Sequence, residues 1–456
     1  MRNPKIILAV LLVLLLCTKV VRSEEADPQH AEIKNIISEK IEEGPYTALL
    51  VGVVNPKGEV FYSGGRIKVG PLTIFEIGSL TKIFTNLLLA AALERGEVKP
   101  DQTVQSLLPA GVVIASPEGK SLTLMDLATH GAGLTRMPSN WDPADQDQPY
   151  AHYHAADLYQ YLALDQTIGR GKGKFQYSNT GTGLLGHLLA LRAGKSYAEL
   201  VQERICRPLG LKDTAVNLTQ RQRTRLARGF SPAGQRVPAW EFSVLAGCGA
   251  LKSTAHDMLK FLSACLGFKK TPLDKALKET LEPRGPGPSP QVKIGLGWLQ
   301  LGQQGIYVHD GGTAGHRGFI GLCPKEKRGV VVLANTSVDV SDIGLHILDK
   351  RFPIRAMPKG VKLSQGQMVA LTGKYRTKSE IAGADGIDIT ISQGPKGLLY
   401  RQREEKPATI LALSPTEFMF PTAPDSKLFF IIGKGGKAEK LVIDAGGMEI
   451  QALRLK

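Results

Sequence analysis

Cysteine is scarce in this 456-residue chain, with five residues at 17, 206, 248, 265 and 323 and no Cys-x-x-Cys pair among them. That spacing gives no sign of a thiolate metal cage; a disulfide is permitted in an exported chain but not required by a core this large, and four of the five read as small buried hydrophobes. Aromatic residues supply only 6% of the sequence, and the basic residues lack the interleaved aromatics of a nucleic-acid-stacking surface. Acidic residues are outnumbered 42 to 57 by lysine and arginine, for a net charge of +15. A surplus of that sign favours surroundings rich in anionic polymer or anionic lipid. No Gly-x-Ser-x-Gly elbow, phosphate-binding loop or dinucleotide fingerprint occurs, so three common catalytic scaffolds lose their anchor. Past residue 17 no apolar run is long enough to span a bilayer.

Hydrophobic residues make up 43% and charged residues 22%, the balance of a folded chain. The length predicts one large or two unequal domains. Fifty glycines and 27 prolines point to many turns and an α+β body. Arg2 and Lys5, the apolar run Ile6 to Cys17, and Val21-Arg22-Ser23 read as a signal peptide over residues 1–23. An exported protein, periplasmic or extracellular, with no stable membrane insertion after cleavage, is the expectation.

Ile33, Ile36, Ile37 and Ile41 recur at helical spacing. Ala48–Val54 and Glu59–Ser63 flank Asn-Pro-Lys-Gly and predict a hairpin. Leu80–Arg95 predicts a helix closed by Gly96. Three strands are expected at Ile306–His309, Gly318–Cys323 and Gly329–Ala334, then a helix over Asp339–Lys350. Residues 353–365 read as a linker. Short β-type runs at Ile387–Ile391, Thr409–Leu413, Leu428–Ile432 and Lys440–Ile443 predict a small antiparallel β domain over 366–456.

Chemistry concentrates at three places. In Phe75-Glu-Ile-Gly-Ser-Leu-Thr-Lys82, Ser79 opens a helix and Lys82 lies one turn along the same face. A serine alcohol needs a base to become a nucleophile, and a desolvated amine can supply one. The helix N-terminus favours developing negative charge. In Tyr177-Ser-Asn179, a phenol beside Lys82 can shuttle a proton and the Asn179 amide can hold Lys82 and a substrate carbonyl. In His309-Asp-Gly-Gly312, a strand ends in glycines against which a substrate backbone can pair.

Ser-x-x-Lys, Tyr-x-Asn and His-x-Gly in this order resemble the set found in class C β-lactamases, with related D-alanyl-D-alanine carboxypeptidases and esterases. Leu122–Leu134, Gly249–Thr254 and Val331–Asn335 are similar to further landmarks of that family, and the likeness covers roughly residues 30–350. The resemblance implies a β-lactamase-like sandwich, an antiparallel sheet flanked by helices plus an all-helical region, over residues 24–352. It implies Ser79 as nucleophile, Lys82 as its proton partner, Tyr177 as general base and acid, and Asn179, His309, Gly311 and Gly312 as substrate-binding. The amides of Ser79 and Gly312 would form the oxyanion hole. The implied substrate is a small β-lactam, opened through an acyl-enzyme without metal or other cofactor. The alternatives are a carboxypeptidase, endopeptidase or esterase acting on peptidoglycan-type peptides or esters, and a penicillin-binding protein that acylates without turnover. Nucleic acid is not an expected partner. Two departures stand out: His309 occupies the usual lysine position, and Val338 stands where a further substrate-binding asparagine would be sought. His152, His154, Asp142, Asp145 and Asp147 read as a solvated loop over the cleft, not a metal site.

Overall fold

The computed structural model describes residues 28–455, apart from 45, 116–118, 120, 144, 146, 232–234, 303–304, 357–359, 379–385, 396, 404–406, 422 and 446–448. The expected signal peptide, Cys17 included, lies outside the described residues.

The central element is an eight-stranded sheet. Its order runs from edge strand Gly58–Gly65 through Ala48–Asn55, Arg328–Ala334, Arg317–Cys323 and Ile306–Gly312 to three short strands at Leu299–Leu301, Val292–Ile294 and Gly285–Pro286. Every pairing is antiparallel. The central strands are apolar almost throughout, because both faces are covered. Side chains alternate between two cores. Ala48, Leu50, Ile320, Val331 and Leu333 face the larger core, built with the helices Thr81–Glu94 and Ala255–Cys265. Leu49, Val51, Phe319, Val330 and Val332 face the smaller one, under Pro28–Glu43 and Ser341–Leu348. Each such side chain, fully buried, is worth about 1.5–3 kcal/mol, and a one-residue register slip would exchange the two sets.

The helix Thr81–Glu94 is buried on nearly every side from Thr81 to Ala92, as an all-round apolar helix must be. The helix Asn179–Ala193 is capped by Ser178, whose Oγ accepts from the Gly181 amide at 2.8 Å. Its glycines admit a close neighbour: a Cβ on Gly186 would lie 2.9 Å from the Gly247 Cα. The short turn Ala246–Cys248 therefore sits directly on this helix.

The C-terminal part is a closed eight-stranded antiparallel barrel running from Gly373–Lys378 to Glu449–Arg454. Tyr375, Ile389, Leu398, Ile410, Phe418 and Phe430 fill its interior. Closure removes exposed strand edges. The four expected strands are present; of four more, Gly373–Lys378, Gly397–Gln402 and Glu449–Arg454 mix polar with apolar residues, and Glu417–Phe420 is only four residues long. The cysteines at 206, 248, 265 and 323 form no disulfide.

Candidate active site

Ser79 lies in a tight turn, Gly78–Leu80, that feeds the buried helix. Gly78 has φ +49°, and a Cβ there would approach the Gly312 amide and carbonyl to 2.6 Å. A Cβ on Gly311 would meet the Ile77 carbonyl oxygen at 2.3 Å and the Ser79 nitrogen at 2.9 Å. Glycine at 78 and 311 is what allows the strand to lie on the serine turn. The strand itself runs to Gly312, past the expected end at His309, with Gly311 opposite Gly318 and Gly312 opposite Arg317. Its neighbour on the other side pairs only with Ile306–Val308, so the edge beyond has no strand partner in the sheet.

Lys82, Tyr177 and Asn179 converge on Ser79. The Lys82 Nζ stands 3.0 Å from Ser79 Oγ, 2.9 Å from Asn179 Oδ1 and 2.7 Å from the Cys248 carbonyl oxygen. The Tyr177 hydroxyl donates to Ser79 Oγ at 2.8 Å, and Nζ sits 4.9 Å from the Tyr177 ring centroid. Lys82 is wholly buried, whereas Ser79 and Tyr177 are half-buried. Thus only the hydroxyl and phenol of the three reach solvent.

Asn179 turns Oδ1 to Lys82, a group that only donates here, which fixes its amide orientation. Its Nδ2 donates to the Tyr150 hydroxyl at 3.2 Å. Its second amide hydrogen faces the weak acceptor Met137 Sδ at 3.5 Å and is the one that a substrate carbonyl, the second task expected of Asn179, could take.

His309 is buried, with Nδ1 at 2.5 Å from the Asp310 carbonyl. A carbonyl accepts, so Nδ1 carries the hydrogen and Nε2 keeps a lone pair in the neutral ring. Burial lowers the His309 pKa, with the Lys82 charge adding to it and Asp310 opposing. The residue in the usual lysine position is therefore a neutral hydrogen-bonding group near pH 7. Val338 is buried in the smaller core. Asn335 is committed to the fold, with Oδ1 accepting from Thr47 and Nδ2 donating to the Arg228 carbonyl.

The sequence reading missed several groups. The Cys248 carbonyl, brought up by the glycine contact, has no side-chain signal. Glu76 is a buried carboxylate that accepts from the Trp240 amide at 2.7 Å, the Thr313 hydroxyl at 2.9 Å and His316 Nδ1 at 2.9 Å. It joins the chain three residues before Ser79 to the turn that follows Gly312. Burial works against its ionisation, but His316, Lys252 and Thr313 outweigh that and the net direction is downward. His130 has φ +57°, a conformation costing about 1–3 kcal/mol for a non-glycine residue. Its Nδ1 accepts from the Ser178 amide at 3.2 Å and its ring lies 4.7 Å from that of Tyr177. Burial, aided by the charge of Lys82, pushes its pKa well down, so it remains an acceptor. Arg136 covers the Tyr177 ring at 5.2 Å.

The histidines and aspartates of the 142–154 loop do not converge. His154 Nδ1 bonds Ser243 Oγ and Asp145 accepts from the Asp147 amide. Among the described residues no three His, Cys, Asp or Glu side chains approach one another as metal ligands would.

A covered antiparallel sheet thus carries a serine, a buried amine and a phenol gathered at one strand's edge. The chain belongs to the β-lactamase family, whose model, described as "Beta-lactamase", matches residues 33–349. It is 26% identical over 323 residues to the D-alanyl-D-alanine-carboxypeptidase/endopeptidase AmpH of Escherichia coli (strain K12), covering 64% of this chain and 80% of that one. It is 27% identical over 258 residues to a β-lactamase of Providencia stuartii, covering 55% and 63%. Among solved structures, the class C β-lactamase of Rhodobacter sphaeroides matches with a TM-score of 0.58 at 29% identity, over 67% of this chain and 93% of that one. A β-lactamase/D-alanine carboxypeptidase from Pseudomonas syringae shares the fold with a TM-score of 0.62 at 21% identity, over 72% of this chain and 100% of that one. The β-lactamase-like fold, with an eight-stranded barrel appended, agrees with the architecture expected from the sequence.

Proposed function

We propose that this protein is a serine hydrolase that opens the amide bond of β-lactams through an acyl-enzyme on Ser79. The observation that carries this reading is the double contact on one oxygen: Ser79 Oγ lies 3.0 Å from Lys82 Nζ and 2.8 Å from Tyr177 Oη. Both are within reach for proton transfer. Ser79 would attack the carbonyl as its proton passes into the Lys82–Tyr177 pair. The amides of Ser79 and Gly312 would hold the oxyanion, and the proton would return through Tyr177 to the departing nitrogen. Water, deprotonated by the same pair, would then cleave the ester and restore the serine. Asn179, His309 and Gly311 would line the substrate's path. Every step uses side chains and backbone amides of this chain.

A second reading has its own support. A neutral His309 attracts a substrate carboxylate less than a lysine would, which favours endopeptidase or esterase action, where no free carboxylate flanks the scissile bond, with the same residues. The full chain, given a chromogenic cephalosporin, a p-nitrophenyl ester and a D-Ala-D-Ala peptide, separates the readings by which substrate turns over. A stoichiometric burst without turnover would instead make it a penicillin-binding protein. Ser79→Ala should abolish all three activities and the acyl adduct detected by mass spectrometry; substantial residual turnover would remove Ser79 as nucleophile.

A further inference from the structure

The basic surplus is not spread evenly. Arg221, Arg223, Arg225 and Arg228 fall within eight residues that contain no carboxylate. This run is zipped to the strand that leads to Ser79: Ile74 donates to the Arg225 carbonyl at 2.9 Å, and Ala227 donates to the Ile74 carbonyl at 2.8 Å. Beside it lies a cavity of about 690 Å³, well within the range of ligand sites. Its cations are Lys68, Arg225, Arg228 and Arg236, and none of the described residues lining it is acidic. Arg225 is fixed by Asp213 and the Leu72 carbonyl. Lys68, Arg228 and Arg236 are exposed and have no ion-pair partner among the described residues.

Between these cations the wall is apolar: Ile67, Val69, Leu72, Leu226 and Phe230 line it, and Leu72 is 51% exposed. A second cavity of about 580 Å³ shares Leu72, Thr224 and Arg225 with the first and adds Lys212, Arg221 and one carboxylate, Asp213, which is already paired with Arg225. The two make one continuous groove with cations along its length rather than at one end.

We propose that this groove binds a linear acidic polysaccharide, at a site separate from Ser79. Guanidinium groups pair with carboxylates through matched N–H donors. The apolar wall between them suits the C–H faces of sugar rings, which inorganic polyphosphate lacks. A single lipid headgroup would need cations at one end only. Among the described residues Phe230 is the sole aromatic of the wall, too few for the successive base stacking of single-stranded nucleic acid. Bound there, the polymer would hold the hydrolase against an acidic matrix while leaving the catalytic edge free.

The test is a binding titration of the full chain with oligogalacturonate, followed by its methyl ester, polyphosphate, single-stranded DNA and anionic vesicles. Oligogalacturonate should bind with an affinity that falls steeply with salt. Arg228→Glu/Arg236→Glu should weaken it at least tenfold while leaving the thermal melting curve unchanged. Equal binding by the double variant, or by the uncharged methyl ester, would overturn the site. Tighter binding of polyphosphate, DNA or vesicles than of oligogalacturonate would overturn the assignment of its occupant.

Discussion

Replacing Glu76 with alanine should damage stability and catalysis together. The carboxylate accepts from three donors, and both it and His316 are almost inaccessible to solvent. Leaving a buried donor unmatched costs about 1–3 kcal/mol, and Glu76 serves three such donors. Water entering the vacated space keeps the total near the lower bound of the summed donors, about 3–5 kcal/mol, which corresponds to a melting shift of roughly 6–20 °C at about 2–4 °C per kcal/mol. Catalysis should fall as well, because the clamp sets the distance between the serine turn and the strand end at Gly312; a displacement of about 1 Å there costs on the order of a hundredfold in turnover. The linkage has a definite sign. A carboxylate held below its ordinary value of 4.5 contributes stability that is fully present above that pH and is lost as pH falls through the lower folded value. The parent should therefore lose stability on acidification below about pH 4.5, and Glu76→Ala should lack that component. Calorimetry between pH 3 and 7, with turnover at pH 7, reads both effects. A variant that melts with the parent and turns over at the parental rate would refute the reasoning. A Glu76→Gln/His316→Asn double-mutant cycle with additive effects would refute the coupling.

His309 and Gly311 give two further predictions. Because the His309 pKa lies below 6.5, affinity for carboxylate-bearing substrates should stay flat from pH 6.5 to 8 and rise only at lower pH, as the ring gains its proton. His309→Lys should tighten that affinity about 10- to 100-fold at pH 7, the range of a charge-assisted hydrogen bond; a titration centred above 6.5, or no gain in the lysine variant, would show that His309 does not meet the carboxylate. Gly311→Ala places a methyl group 2.3 Å from the Ile77 carbonyl oxygen, so the strand must move off the serine turn and turnover should fall on the order of a hundredfold. Parental kinetics in that variant would mean the contact is not needed.

Legibility followed the kind of interaction involved. Ser79 and Lys82 are one helical turn apart, so their meeting is a consequence of local geometry and could be read directly. Tyr177 and Asn179 meet Lys82 across about a hundred residues, and only the ordered likeness to a family placed them together. The Cys248 carbonyl escaped notice because a backbone oxygen has no letter of its own. It reaches Lys82 because Gly186 and Gly247 touch, a contact between the two residue types that carry least information about partners. Glu76 stood inside the quoted motif, yet a lone glutamate before a serine reads as a surface charge until Thr313 and His316 fold onto it. His309 was legible as a site residue but its charge state was not. That depends on burial and on a bond to its own neighbour's carbonyl, neither of which the strand pattern reveals. In the barrel, polar strands such as Gly373–Lys378 pair because closure demands it, not because their composition favours a strand.

The surroundings of Lys82 bear on which group takes the serine proton. Two of its three contacts, Asn179 Oδ1 and the Cys248 carbonyl, are oxygens that can only accept. They occupy two N–H bonds whether the amine is charged or neutral. The third direction faces Ser79 Oγ, and there the nitrogen presents either a hydrogen or a lone pair without any other atom moving. The phenol of Tyr177 has the same double capacity toward the same oxygen. A proton can therefore move between serine, amine and phenol while every fixed partner stays satisfied, so the energetic penalty of an unmatched buried group does not arise in either direction of the proposed acyl transfer. Lys82→Met removes this at once: it leaves two buried carbonyl oxygens unmatched and only one proton carrier at Ser79. Turnover should drop by about 10²–10⁴, the usual worth of positioned acid–base catalysis. A methionine variant retaining parental turnover would mean that the phenol alone suffices and the amine serves only the fold.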